Sequence, residues 1–337
     1  MARDTLSDLL RCVRLRGAVF YFVSCRDAWA AEAAPAREVA AAVMPGAEHV
    51  MEYHMVAKGE SWASLDGEPP VRLAEGDVVV FAHGDRHVMA SEPGVAPVHA
   101  GIELAEATRD LPKPMPIAYV SGDVNAGEKM ALEKADAVLV CGFLGCDLRP
   151  FNPLVAALPR MLHLPASRQR SWVSTAIEQA VTESQQRRPG GDALLERLSE
   201  MMFVDAARSY LEVLPAQATG WLAGLRDRYV GRALALMHAR PEHPWTVEEL
   251  GREVALSRSA LHERFVEYVG EAPMHYLSQW RVQVGARLLR ESTRTVATIA
   301  AEVGYESEAA FSRAFKRLVG LPPAAWRRAQ AAEAAAG

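Results

Sequence analysis

The hydrophobic rhythm of the chain changes about halfway along it. Between residues 48 and 91, apolar and polar side chains alternate in short runs: EHVMEYHMV, then VRL, then VVVF, separated by Asp66-Gly67 and by Ala74-Glu75-Gly76-Asp77. A period of two with glycine-containing turns between the runs predicts short strands folded into a small sandwich or barrel. Further on, apolar positions recur every three or four residues, as on one face of a helix. Two such stretches, 167–186 and 191–213, are split at Pro189-Gly190-Gly191. In the second, Leu194/Leu195, Leu198, Met201/Met202 and Tyr210 form a near-heptad seam that suits either packing on the strands or pairing with a second copy. Ala216-Gln217-Ala218-Thr219-Gly220 then reads as a short connector before a helix around Trp221–Met237.

The last hundred residues contain one unit twice. TVEELGREVALSRSALHERFVEYVGEAPMHY (246–276) and TVATIAAEVGYESEAAFSRAFKRLVGLPPAAW (295–326) align through their apolar positions, with one residue inserted in the second turn. Val247, Leu250, Val254 and Leu256 match Val296, Ile299, Val303 and Tyr305; Leu261, Phe265, Val269, Gly270 and Pro273 match Phe311, Phe315, Val319, Gly320 and Pro323. Each copy carries the marks of a helix-turn-helix. Thr246 followed by Glu249 fits a capping box, and Thr295 can cap the second copy. Gly304 permits a left-handed backbone at the turn, where Ala255 in the first copy costs about 1 kcal/mol. With the apolar positions turned inward, Arg258, Ser259, His262 and Glu263 face outward in the first copy. In the second, Ser307, Glu308, Ala309, Ser312, Arg313 and Lys316 do so.

Between the copies, Pro273 is placed to begin a helix that Tyr276, Leu277, Trp280, Val284 and Leu288 continue to about Glu291. Such a rod of ~18 residues measures roughly 27 Å. Two recognition helices held apart by it suit the ~34 Å repeat of a DNA duplex, so one chain can enter two successive major grooves on one face.

Composition changes this picture only slightly. A chain of 337 residues is long enough for two domains. The net charge of −5 looks wrong for a nucleic-acid binder until it is divided: residues 231–330 hold 14 Arg and Lys against 11 Asp and Glu, and 13 of those bases are arginine. No apolar run approaches the ~18 residues of a membrane span, and the opening MARDTLSDLL carries acids where a signal peptide would not. The chain is therefore expected in the cytoplasm. Cys12, Cys25, Cys141 and Cys146 make no CxxC pair and read as reduced thiols.

At the repeat, WTVEELGREVALSRSALHERF and the later IAAEVGYESEAAFSRAFKR resemble the DNA-binding domain of AraC/XylS-family transcriptional regulators over about 100 residues. The resemblance implies that the third and sixth helices read bases. By position, Ser259, His262 and Glu263 are the readers of the first motif, and Glu308, Ala309, Ser312 and Arg313 those of the second. A basic residue is common in the family where Glu263 stands; a carboxylate accepts from cytosine N4 and repels phosphate.

YHMVAKGESWASLDG and LAEGDVVVFAHGDRH resemble a cupin, more narrowly the effector domain that precedes the DNA-binding domain in some of these regulators; LLRCVRLRGAVFYF and CGFLGCDLRPFNPLVAALPRML also look like that subgroup. Metal-binding cupins use His-x-His, a following Glu and a distant His. Here His54, Glu60 and His87 match and Val56 departs: the three could still form a triad of two histidines and one carboxylate, but these side chains are expected to hydrogen-bond an organic effector or each other, with Trp62 at the barrel mouth or in the core, and neither a metal nor a cofactor is assigned. The whole is an α+β multidomain chain: a cupin-like β-barrel sensor at 1–165, a helical linker at 166–215 with a homodimer interface through 191–213, and an all-α double helix-turn-helix domain at 220–330. Its expected partners are promoter DNA, a small-molecule effector of unnamed identity and RNA polymerase, with no membrane and no catalysis. The competing readings are a metal-dependent cupin enzyme with a helical appendage and a thiol-based redox regulator.

Overall fold

The computed structural model describes residues 4–100, 102–107, 112–166, 171–186, 188–215 and 217–336; residues 167–170, where the first linker helix was expected to start, and Ala216 of the connector lie outside them. The chain opens with α1 (Thr5–Cys12), whose first turn is capped by Asp4. There follow β1 (Arg16–Arg26), β2 (Ala30–Ala33), α2 (Ala36–Val43), β3 (His49–Lys58), β4 (Ser61–Leu65), β5 (Val71–Leu73), β6 (Val78–Phe81), β7 (His87–Ala90), β8 (Val98–Ala100), α3 (Ile102–Ala107), β9 (Met115–Val120), β10 (Asp123–Ala126) and β11 (Ala137–Cys146). After α4 (Pro153–Ala157) and β12 (Met161–Leu164), the remainder is helical: α5 (Ser171–Gln186), α6 (Gly191–Val213), α7 (Trp221–Arg226), α8 (Val230–Ala239), α9 (Val247–Val254), α10 (Arg258–Val269), α11 (Pro273–Glu291), α12 (Val296–Glu302), α13 (Glu308–Val319) and α14 (Pro323–Ala336). Among the described residues, no helix is long and apolar enough to cross a membrane.

These elements form two compact units, neither continuous in sequence. One comprises residues 15–146 and 158–212; the other joins 1–14 and 147–157 to 213–337. Divisions at 165 and 215 were expected; by contacts, the first 14 residues and the 147–157 segment go with the C-terminal helices.

The first unit is a two-sheet sandwich. A seven-stranded sheet in the order β10-β9-β1-β11-β3-β6-β12 shares a core with a five-stranded sheet in the order β5-β4-β7-β2-β8. β11, AVLVCGFLGC, is buried at every position because it lies between β1 and β3 and is also packed by α5, so its sequence shows no alternation. On β3, Glu52, His54 and Val56 share one face; Tyr53 lies on the other, where its hydroxyl bonds Ser199 Oγ of α6 at 2.6 Å. Glycine is required opposite it: a Cβ on Gly142 would stand 2.6 Å from the Tyr53 hydroxyl and 2.1 Å from the Ala18 carbonyl oxygen.

In the helical unit the repeat is explicit. Thr246, Ser257, Thr295 and Ser307 each accept an amide hydrogen bond three residues on, at 3.1, 3.2, 3.1 and 3.2 Å, so all four motif helices begin on a side-chain cap. The expected capping box at Thr246 is only half made, because the Glu249 carboxylate bonds His243 Nε2 at 2.8 Å instead. Ala255 adopts the left-handed conformation (φ 60°) at its turn, and Gly304 has φ 83° at the equivalent one. Helix α11, with Pro273 in its first turn, is the rod between the motifs; Phe311, Phe315, Ile299 and Val303 of the second motif pack on its Val282, Ala286 and Leu289.

Helix α11 also carries a buried polar residue. Gln283, 2 % exposed, accepts from the Phe151 amide at 2.9 Å and donates to the Cys12 carbonyl at 3.1 Å. Arg14 grips the Asp147 carboxylate with two nitrogens at 3.0 Å, and Arg290 reaches it at 3.3 Å. The two segments that flank β1 and β11 are thus fastened to the rod.

Candidate functional site

Within the sandwich, β1, β3, β9 and β11 form one wall of a cavity of about 90 Å³, and β2, β7, α2 and α3 contribute to the other side. Its lining is apolar and aromatic, with Tyr21, Trp29, Met89, Ile117, Tyr119 and Phe143 prominent; Glu52 and His54 supply the polar end. Glu52 and His54 come from alternate positions of β3, and His87 from the first residue of β7 in the opposite sheet.

Burial governs the electrostatics of this polar end. It pushes the Glu52 carboxyl up to about 8 and lowers His87 to about 4; His54 falls well below its usual range, through burial first and His87 second. Although Glu52 Oε2 lies 3.7 Å from His87 Nε2, near neutrality both groups are uncharged, and the contact is not an ion pair. The tautomers follow from the partners. His87 Nδ1 donates to the Asp85 carbonyl at 2.9 Å, leaving Nε2 as an acceptor. His54 Nε2 therefore donates to it at 2.8 Å, and His54 Nδ1 remains a buried acceptor without a hydrogen-bond partner among the described residues. Phe81 fixes the arrangement by stacking on His87 with centroids 3.6 Å apart.

This donor set also fits a divalent cation. One carboxylate oxygen and two imidazole nitrogens lie within 4.8 Å of one another, the ligands of a two-histidine, one-carboxylate site. His87 already has the outer contact that orients a ligating imidazole. Binding would require Glu52 to ionise and the His54–His87 hydrogen bond to open.

The structure unites His54 and His87 and separates them from the other two expected residues. Glu60 sits at the β3–β4 turn, 55 % exposed, and pairs with Arg72. Trp62 lies outward on β4, where Ser61, Ala63 and Leu65 take the inner positions. Glu52 replaces Glu60 at the site; its legible signal was the two-residue spacing from His54 on one strand. All four cysteines are buried. Burial raises the thiols of Cys12 (to about 11), Cys25 and Cys141, the reverse of what a reactive thiolate needs.

In the helical unit, the outward residues of α10 and α13 form two polar faces. Arg258, Ser259, His262 and Glu263 are exposed, as are Ser307, Glu308, Ala309, Arg313 and Lys316, while Ser312 is half-buried. Arg258 pairs with Glu248 at 2.9 Å, and Ser307 serves as the α13 cap. Arg264, by contrast, is structural. It holds Asp227 with its Nε 3.0 Å from each oxygen, and Asp227 also accepts from the amides of Tyr229 and Val230 at the start of α8.

Residues 4–212 match a Cupin family, and residues 250–329 match a helix-turn-helix domain family. An AraC-like transcription regulator of Streptomyces lividans is 34% identical over 96% of this chain and 98% of its own length. One from Streptomyces antibioticus is 32% identical over the same shares. Among solved structures, the DNA-binding domain of AdpA, a global transcriptional factor in complex with a target DNA, is 31% identical over 33% of this chain and 99% of that one, with a TM-score of 0.31. A cupin domain, a helix-turn-helix domain and 34% identity to such a regulator over 96% of the chain place it in one family: it belongs to the AraC-like transcription regulators and binds DNA through its helix-turn-helix domain.

Proposed function

We propose that α10 and α13 each enter a major groove, with Ser259, His262 and Glu263, and Glu308, Ala309, Ser312 and Arg313, contacting base edges, and Arg258, Ser307 and Lys316 holding the backbone. The observation that carries this is the pair of exposed polar faces on capped helices joined by one 19-residue rod, about 28 Å long at helical rise. Glu263 favours cytosine at its base. The regulator acts in the cytoplasm at promoters, where it works with RNA polymerase.

The effector is a small, uncharged, largely apolar molecule with one hydrogen-bonding group. Apolar walls, a neutral Glu52 carboxyl and the open His54 Nδ1 support that class. A cavity of about 90 Å³ is smaller than the ~150 Å³ that holds benzene, so a ligand of that size must displace side chains. Displacement would act on β1 and β11, which pair from Arg16↔Gly145 onward. Along the chain these strands continue into Arg14 and Asp147, whose segments are fastened to the rod by Gln283 and Arg290. Differential affinity for two arrangements of those strands then biases DNA binding.

The homodimer forms through α6. Leu194 and Met201 are 38 % and 53 % exposed on its outer face, while Leu195, Met202 and Phe203 pack inward.

Mapping of genomic sites bound by the full chain tests the reading. Bound sites should share two short motifs about ten base pairs apart, and R313A should lose sequence preference in one of them. Sites with no shared motif would refute it. The triad within 4.8 Å supports a second reading, a resident cation in the sensor. Metal analysis of purified protein decides that: one equivalent per chain, lost in H54A and H87A, supports the cation, and a metal-free chain excludes it.

A further inference from the structure

The helical unit contains a second cavity, of about 200 Å³, lined by Asp8, Arg11 and Cys12 of α1, His238 of α8, Pro241, and Trp280, Val284 and Arg287 of α11. Neither the DNA-reading faces nor the sensor pocket uses it. His238 and Trp280 are 1 % and 2 % exposed and stack with centroids 3.7 Å apart. Three nitrogens from the lining, His238 Nδ1, Trp280 Nε1 and Arg287 Nε, have no hydrogen-bond partner among the described residues.

All three are donors. Trp280 Nε1 and Arg287 Nε carry hydrogen in any state. For His238 the tautomer follows from Tyr276, whose hydroxyl accepts from Trp221 Nε1 at 2.9 Å and lies 2.7 Å from His238 Nε2. The hydroxyl therefore donates to Nε2, and the neutral ring carries its proton on Nδ1. Burial lowers His238 to about 3, so it stays neutral at physiological pH.

Three buried N–H groups without acceptors cost free energy unless oxygen atoms meet them. The charge around them admits one negative group. The lining carries Arg11 and Arg287 against Asp8, with Arg11 paired to Asp8 at 3.2 Å and Arg287 paired, among the described residues, with Glu291, 3.8 Å away and 55 % exposed. Val284, Pro241 and the Trp280 ring offer apolar wall for a hydrocarbon portion.

We propose that this cavity binds a small organic carboxylate, its oxygens accepting from His238 Nδ1, Trp280 Nε1 and Arg287, beneath α1 where the first turns of the chain rest on the rod. Such a ligand fastens α1 to α8 and α11, and any change in DNA binding it causes is reciprocal. It is separate from the sensor-pocket effector, which meets a neutral, apolar lining.

Indole N–H spectra of the ¹⁵N-tryptophan-labelled full chain test this. The seven tryptophans give seven resonances, with Trp280 identified by W280F and Trp29 reporting on the sensor cavity. Sodium benzoate should move the Trp280 resonance saturably, with little effect on Trp29. Benzamide, the neutral isostere, should bind at least tenfold more weakly, and R287M should lose at least tenfold in benzoate affinity. The proposal fails if Trp280 does not move, if sodium chloride at matched ionic strength moves it equally, or if benzamide binds as well as benzoate. Water alone then fills the cavity.

Discussion

Replacing Gly304 with alanine should damage the second motif more than any other single methyl added at a turn of the repeat. Two costs combine there. At φ 83° an L-residue carries left-handed strain of about 1–2 kcal/mol. The new Cβ would also stand 2.8 Å from the backbone Cα and carbonyl oxygen of Glu242 and 2.9 Å from Arg281 Nη2. Arg281 cannot easily withdraw, because it donates to the Pro241 and His243 carbonyls at 2.6 and 2.7 Å. Overpacking of this kind costs about 1–3 kcal/mol, which brings the sum to about 2–5 kcal/mol. Gly320 is the control: its φ is 87°, but nothing lies within 4 Å of its Cβ position, so G320A carries the strain alone, about 1–2 kcal/mol. Amide hydrogen exchange in α12 and α13 of the full chain reads both, since local opening tracks local stability. G304A should speed exchange at least about 30-fold, and G320A about 5- to 30-fold, at a factor of ten per 1.4 kcal/mol. Equal acceleration by the two variants would refute the reasoning, because it would mean the Glu242 contact does not constrain the turn.

Three further outcomes are expected. R313A should lose about 1–3 kcal/mol of affinity for its specific site with relaxed preference at one base pair, measured by binding to a set of single-substituted duplexes; uniform loss across all sequences would mark Arg313 as a phosphate contact. M201D, which puts a charge on the exposed apolar stripe of α6, should shift the chain from dimer to monomer in sedimentation without lowering its thermal stability. His238 should make the helical unit acid-sensitive. Its native pKa, about 3, lies below the unfolded value near 6.5, so the unfolded state alone takes up the proton between them; stability is full above pH 6.5 and falls by about 1.4 kcal/mol per unit below it. Exchange in α8 and α11 at pH 7 and 5 should show that loss, and H238Q should reduce it.

The helix-turn-helix repeat was legible because its signals are local. Thr246, Ser257, Thr295 and Ser307 precede their helices, Gly304 marks its turn, and the apolar spacing repeats in register. The sensor site was half legible. His54, Glu60 and His87 match the cupin motif by position, and the structure keeps the two histidines; Glu52 lies in the run from Val50 to Val56, which is buried on both faces and so hides which side a residue takes. Only the facing of β3 and β7 across two sheets brings Glu52 to His87. Gln283 was not legible at all. On sequence it is one polar residue in a helix, and its partners, Cys12 and Phe151, lie 271 and 132 residues away. The same distance in sequence hides the attachment of α1 to the C-terminal helices.

Hydroxyl-radical footprinting of the full chain on a bound promoter fragment tests the central claim most directly, that two helices on one rod read two successive major grooves. The account predicts, for each bound chain, two protected windows on one face of the duplex, their centres about ten base pairs apart, with R313A clearing one window of each pair and leaving the other. A single window, or two windows on opposite faces, would contradict it.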